Sequence, residues 1–340
     1  MQQSRRPQLL ASCHSGDYPK HTMKILILRL SSLGDIVLTQ PIAAWLRAEY
    51  PGAQIDYVVK EQFVELVTLM GCELNPIVYS KSIRAHIALF RARYDIVIDL
   101  HGKLSTYLLK IASRGKRSVC YHKARSQRKR IVRGDRSLYI KSTTDLYKTA
   151  LLQISSRVSL QAPRLYPLSH VEEPVLPDAA KRIAIFPGAT HNTKRYPLKY
   201  FKELIKESPK DFQYIILGST SEADMCRSLV LDYRTINLCA MLSFAQLLTL
   251  LQGCDWVISS DSGPMHMAAA LQRPQIAIFG ATHPRLGFAP QNTKAHILCA
   301  NLDCQPCSLH GSDKCPQGHH RCMLSIKPES ILKILSDNSN

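Results

Sequence analysis

Short apolar runs of strand type alternate along the chain with segments whose apolar residues recur every three to four positions. Lys24 to Arg29 (KILILR) is the first such run, followed by the turn Ser31-Ser-Leu-Gly-Asp35 and a helical pattern from Pro41 to Glu49. The unit then repeats: Ile55 to Val59 reads as a strand, Gln62 to Met70 as a helix, Pro76 to Tyr79 as a strand, Ile83 to Arg93 as a helix and Asp95 to Leu100 as a strand. From about Ser159 to Ala180 the pattern lapses into a proline-studded stretch that predicts a linker. A second series follows, with strands over Arg182–Phe186, Tyr214–Leu217, Trp256–Ser260 and Gln275–Phe279 and helices over Leu198–Glu207, Ser243–Gln252 and Pro264–Leu271. This predicts an α/β protein of two doubly wound, Rossmann-like domains facing each other across a cleft, with ligand crevices at the carboxyl ends of the strands. The expected boundaries are 23–165 and 181–340, joined by a linker over 166–180. Residues 1–22 carry no such pattern and are expected to form a disordered leader ahead of a fold that starts at Met23.

Composition changes this picture in three ways. With 340 residues, 45% of them apolar, the chain suffices for two ordinary cores. No run approaches the roughly 18 apolar residues of a membrane span, and the leader lacks the apolar middle of a secretory signal, so a cytoplasmic protein is expected. Forty-four basic against 26 acidic residues give a formal charge of +18, which favours an anionic partner: nucleic acid, a membrane surface or a phosphorylated substrate. Six of the eleven cysteines (Cys13, Cys72, Cys120, Cys226, Cys239 and Cys254) lack framework spacing, as reduced thiols do.

The strand ends carry the candidate chemistry. Neither a G-x-x-x-x-G-K-[ST] phosphate loop nor a G-x-G-x-x-G follows any strand, which removes the residues that an ATPase or a dehydrogenase needs. Asp261-Ser-Gly-Pro-Met-His266 instead follows a buried strand and opens an Ala-rich helix. The free N–H groups there suit a phosphate near Ser262 and Gly263, while Asp261 and Ser262 serve equally well as plain helix caps. Thr190 and Lys194, in the loop after Phe186, reach the same crevice, where a lysine acts as a point charge on a diphosphate or remains a solvated loop residue. Glu222 follows the next strand and suits either a ribose contact or the first turn of a helix.

Taken together, Met23 to Pro41 (MKILILRLSSLGDIVLTQP), Asp99 to Gly102 (DLHG), Phe186 to Pro197 (FPGATHNTKRYP) and Ser260 to Gly280 (SDSGPMHMAAALQRPQIAIFG) resemble the motif set of the ADP-heptose:lipopolysaccharide heptosyltransferases, glycosyltransferase family 9. The resemblance implies a GT-B architecture, an ADP-heptose donor held by the C-terminal domain and a lipopolysaccharide inner-core acceptor held by the N-terminal one. By that resemblance Asp35 is the general base, Thr190 and Lys194 meet the donor phosphates, Asp261 through His266 form a helix-terminus phosphate site, and Glu222 meets the ribose. Where some members carry two adjacent threonines, this chain has Ala189-Thr190. A single inverting displacement is implied, one that requires no catalytic metal because lysine and helix terminus offset the leaving charge.

Two further segments carry expectations. The run from Arg114 to Arg133 holds nine Lys or Arg and no acid, and is expected to dock the anionic acceptor at the cytoplasmic face of the inner membrane, with Arg128, Lys129 and Arg130 as contacts. A solvated loop is the plainer reading of the same residues. Cys304-x-x-Cys307, Cys315 and Cys322, with His319 and His320 nearby, have the residue types of a structural zinc site, against free thiols or a disulfide. A GT-B transferase using another nucleotide-sugar is the nearer alternative. A basic RNA-binding protein is the more distant one, because the basic run offers only Tyr121 and His122 for stacking.

Overall fold

The computed structural model describes residues 22–172 and 174–337, so most of the expected leader lies outside the described residues. The first half runs β1 (Lys24–Leu28), α1 (Leu33–Val37), α2 (Gln40–Glu49), β2 (Gln54–Val59), α3 (Val64–Thr68), β3 (Asn75–Val78), α4 (Ile83–Ala92), β4 (Ile96–Asp99), α5 (Leu104–Ser113), β5 (Arg117–Cys120), α6 (Arg125–Val132) and α7 (Thr143–Leu151). The second runs β6 (Lys181–Phe186), α8 (Leu198–Glu207), β7 (Phe212–Ile216), α9 (Ala223–Arg227), β8 (Thr235–Asn237), α10 (Phe244–Gly253), β9 (Trp256–Ser260), α11 (Gly263–Ala270), β10 (Gln275–Phe279), β11 (Ala295–Cys299), α12 (Arg321–Leu324) and α13 (Pro328–Asp337). The strands form two parallel sheets, ordered β3-β2-β1-β4-β5 and β11-β10-β9-β6-β7-β8. This is the expected pair of doubly wound sheets in a GT-B architecture.

Both sheets are buried on two faces, which is why β1, β4, β6, β9 and β10 carry short consecutive apolar runs rather than alternating patterns, with polar residues confined to their ends. In each sheet the order reverses beside one strand pair, β1 with β4 and β6 with β9. Loops at the carboxyl ends of such a pair diverge to opposite faces and leave a crevice between them. No helix among the described residues is long and apolar enough to cross a membrane.

The domains also touch closely. A Cβ built on Gly34 of α1 lies 2.6 Å from His266 Cδ2, and one built on Gly263 of α11 lies 2.3 Å from Leu33 Cδ2. The absence of side chains at these two glycines is what lets α1 and α11 meet. Elsewhere Glu65 reaches across to accept the free backbone N–H groups of Phe244 and Ala245 at the start of α10, at 2.9 Å each. A third seam joins residues 140–143 to 285–287: Ile140 N–H donates to Arg285 O, and the Thr143 N–H and hydroxyl both donate to Gly287 O.

Candidate active site

A cavity of about 630 Å³ opens at the carboxyl ends of the two reversal pairs, where the loops after β1, β4, β6 and β9 converge. An adjoining recess of about 120 Å³ leads to Gly34 and His266. Seven Lys or Arg side chains line the main cavity against two aspartates, Asp35 and Asp261. Both aspartates are paired, so the free charge facing the cavity is positive and favours anionic ligands.

Asp35 occupies the third position of α1 rather than its N-cap; Ser32 is the cap, and Asp35 Oδ2 accepts from the Ser32 hydroxyl at 2.8 Å and from its N–H at 3.3 Å. Arg29, at the end of β1, donates to the same carboxylate at 2.5 Å and to Leu100 O at 2.5 Å. The Tyr147 hydroxyl reaches Asp35 Oδ1 at 3.4 Å. Burial disfavours the Asp35 anion, but the Arg29 guanidinium, the Ser32 bonds and nearby His266 outweigh it and hold the pKa at about 2. Asp35 is therefore ionised at any physiological pH, with one edge still facing the cavity.

Across the cavity, Lys194 Nζ is 2.9 Å from Asp261 Oδ2, which also accepts the Thr282 hydroxyl at 2.7 Å. Thr190 and Ser262 line the same wall, and Ser262 is the N-cap of α11. The Asp261 carboxylate thus holds the ammonium in place instead of meeting an anion itself, since like charges repel. His266 is buried on α11 beside Gly34; burial lowers its pKa against the pull of Asp261 and Asp35. Gly263 and Glu222 line neither cavity. Gly263 admits Leu33, and Glu222 bonds back to the Ser219 N–H and hydroxyl with Oε1 crowding the space above Gly188.

The basic run is not a loop, although most of its Lys and Arg side chains are exposed. It folds into β5 and α6, and Arg128, Lys129 and Arg130 take separate positions. Arg128 is buried, donates to Leu286 O and to the Thr143 hydroxyl, and stacks 4.7 Å from the Phe288 ring centroid, so it ties α6 to the domain seam while lining the cavity. Lys129 is exposed and lines the cavity, whereas Arg130 pairs with Asp135 outside it. In the cysteine-rich segment Cys304, Cys307, Cys315 and Cys322 are free thiols. Among the described residues no three His, Cys, Asp or Glu side chains are grouped closely enough to hold a metal ion. Other bonds hold that segment. Gln305 Nε2 donates to the carbonyls of Phe279, Gly280 and Thr282, and Thr193 exchanges hydrogen bonds with Ser312.

Several lining residues carry no signal in sequence spacing. Arg29, His101, Tyr121, Lys123 and Tyr147 come from separate elements of the first half, and Leu309 and His310 close the wall from the cysteine-rich segment. His101 stands out in the sequence only as part of DLHG. Its Nδ1 is buried without a partner among the described residues, and burial, with Arg29 and Lys103 nearby, lowers its pKa to about 4.

Comparison with known proteins agrees with this geometry. Lipooligosaccharide heptosyltransferase 2 of Campylobacter jejuni is 24% identical over 323 residues, covering 92% of this chain and 97% of the relative. Lipopolysaccharide heptosyltransferase 1 of Escherichia coli K12 is 26% identical over 287 residues, covering 78% and 90% respectively. Among solved structures, E. coli ADP-heptose lps heptosyltransferase II superposes with a TM-score of 0.72 at 22% identity, over 93% of this chain and 98% of that one. E. coli heptosyltransferase WaaC with ADP gives 0.66 at 18% identity, over 93% and 100%. The sequence model of Glycosyltransferase family 9 (heptosyltransferase) matches residues 83–315, more than half of the chain. With the fold, the cationic cavity and that match in agreement, the chain belongs to glycosyltransferase family 9, the heptosyltransferases.

Proposed function

We propose that this heptosyltransferase moves a heptose from ADP-heptose to the lipopolysaccharide inner core by a single inverting displacement, working in the cytoplasm at the face of the inner membrane. The observation that carries the reading is the placement of an ionised carboxylate, Asp35, and a paired ammonium, Lys194, on walls of one cationic cavity contributed by opposite domains. A relative that shares the fold supports the donor: E. coli heptosyltransferase WaaC is described with ADP and with ADP-2-deoxy-2-fluoro heptose. Membership of a glycosyltransferase family displaces the RNA-binding reading of the charge.

In this mechanism an acceptor hydroxyl oxygen bonds to the anomeric carbon as the bond from that carbon to the diphosphate oxygen breaks. ADP departs with the electron pair, and the hydroxyl proton passes to Asp35. A carboxylate of pKa about 2 is a weak base towards a free alcohol. The hydroxyl becomes strongly acidic only as its bond to carbon forms, so a fixed carboxylate receives the proton late. Lys194 offsets the charge that gathers on the departing diphosphate, with Ser262 beside it on the same wall, and Asp261 acts through Lys194 by holding it.

A thermal-shift panel of ADP-, UDP- and GDP-sugars, run with Asp35→Asn alongside the wild type, tests both halves. ADP-heptose alone should raise the melting midpoint of both proteins, and Asp35→Asn should lose about 10²- to 10⁴-fold in kcat. A preference for UDP-sugars would overturn the donor assignment, and a fully active Asp35→Asn would overturn the base.

A further inference from the structure

Helices α4 and α5 carry an apolar stripe on the wrong side for a helix of a buried layer. Ile83, Ile87 and Phe90 fall at helical spacing on α4, and Leu104, Leu108 and Ile111 do so on α5, yet all six face solvent, with Ile83 77% and Leu104 74% exposed. The inward faces are thin by contrast: Leu89 is the one fully buried residue of α4, and Leu109 is the one large apolar residue buried by α5. The two helices pack against each other on one face of the first sheet, so the stripes form one patch. A patch of this size on a folded domain marks an interaction surface.

Its surroundings are predominantly basic, Asp95 being paired with Lys116. Residues 79–94 contain four Lys or Arg and no acid, and residues 100–134 contain eleven and no acid. The guanidinium of Arg114 lies 5.4 Å from the Phe90 ring centroid and Lys110 lies 5.2 Å from that of Tyr107, so cations border the apolar side chains directly. The patch is also continuous with the cavity: α5 begins immediately after His101 and Lys103, which line it.

We propose that the outer face of α4 and α5 docks on an anionic lipid bilayer, the six apolar side chains entering the boundary between headgroups and acyl chains while the flanking Lys and Arg meet lipid phosphates. A second copy of the chain fits poorly, because apposing two such patches sets like charges face to face. Docked in this way, the cavity mouth opens along the membrane surface, where a lipid-anchored acceptor is presented. The inference deepens the proposed function and takes its purpose from it, but vesicle binding needs neither donor nor acceptor, so either can fail alone.

The test is flotation of the full chain with vesicles of phosphatidylcholine alone or mixed with about one-third phosphatidylglycerol, an anionic fraction chosen to give a substantial surface potential. The wild type should float with the anionic vesicles and be released by salt. Leu104→Glu combined with Leu108→Glu should weaken this partitioning roughly tenfold or more, and Arg84→Glu combined with Arg91→Glu should abolish the preference for anionic lipid. Both variants should keep the wild-type melting midpoint and its shift with ADP-heptose. No flotation by the wild type, equal flotation by the variants, or a dimer seen by light scattering that the leucine variant breaks while vesicles are ignored would overturn the proposal.

Discussion

Two charged groups set the chemistry of the cavity through their partners. Lys194 is held by Asp261, a carboxylate only 6% exposed, so deleting the lysine removes a cation from the donor site and strands a buried anion. Lys194→Ala should therefore lose about 2–4 kcal/mol of transition-state stabilisation, read as kcat/KM, and about 1–3 kcal/mol of folding stability. Adding Asp261→Asn should restore the melting midpoint and leave turnover low; recovery of both would make Lys194 a purely structural residue. His101 makes a prediction about pH. Burial, assisted by Arg29 and Lys103, holds its folded pKa at about 4, below the ordinary 6.5, so between these values the unfolded chain binds a proton that the folded chain refuses. Stability from this group is complete above pH 6.5 and is lost as pH falls towards 4. The midpoint of wild type should drop more steeply over that window than that of His101→Gln, and coincident pH profiles would contradict it. Asp35 acts lower down: its stabilising contribution is present above 3.8 and is lost as pH falls towards 2.

At the scale of elements, α6 shows how a run of like charge divides into roles. Arg128 points inward to Leu286, Thr143 and Phe288, and Lys129 points to the cavity, although the two are adjacent in sequence. Arg128→Ala should lower stability by about 1.5–3 kcal/mol, because two hydrogen bonds from a charged donor are lost at a buried seam. Lys129→Glu should leave the midpoint within about 0.5 kcal/mol of wild type and raise the acceptor KM severalfold, as a surface change at the cavity edge does. Denaturant melts and steady-state kinetics on the pair would show whether the two effects separate; equal loss of stability in both would refute the division. Helices α5, α6 and α7 have no expected counterpart in the hydrophobic pattern. The apolar stripe of α5 faces outward, and α6 is dominated by charge, so neither presents the usual buried face from which a period is read.

Across the whole molecule, the cavity exists because α1 and α11 are permitted to touch. Gly34→Ala would place a methyl group 2.6 Å from His266 Cδ2, a distance that forces the imidazole or the domain contact to move. The expected cost is about 1–3 kcal/mol, with a fall in kcat that exceeds any change in donor binding, because Asp35 on α1 shifts relative to Lys194. Melting curves, ADP-heptose titration and kcat measured together check this, and a variant with wild-type stability and turnover would show the contact to be loose. The cations that line the cavity come from the ends of β1, β6 and the α5 to α6 region, so its charge is a property of the assembled domains rather than of any one segment.

The sequence alone determined the two α/β halves and the loops that line the cavity. Strands buried on both faces must be apolar throughout, and strand-end loops must carry the small and polar residues that ligands need. Asp35, Thr190, Lys194, Asp261 and Ser262 were legible for that reason, since each lies in a loop or first turn directly after a strand. Tertiary structure alone decided which residues join them. Arg29, Tyr147 and Arg128 meet Asp35 or the cavity across long separations, and the cysteine-rich segment is tied to the strand β10 end through the Gln305 side chain. It also decided that Gly263 serves the contact between domains and that Glu222 turns back on its own helix start. Spacing along a chain records the period of an element, whereas the partner of a side chain depends on how elements pack, and packing brings together residues that no local pattern relates.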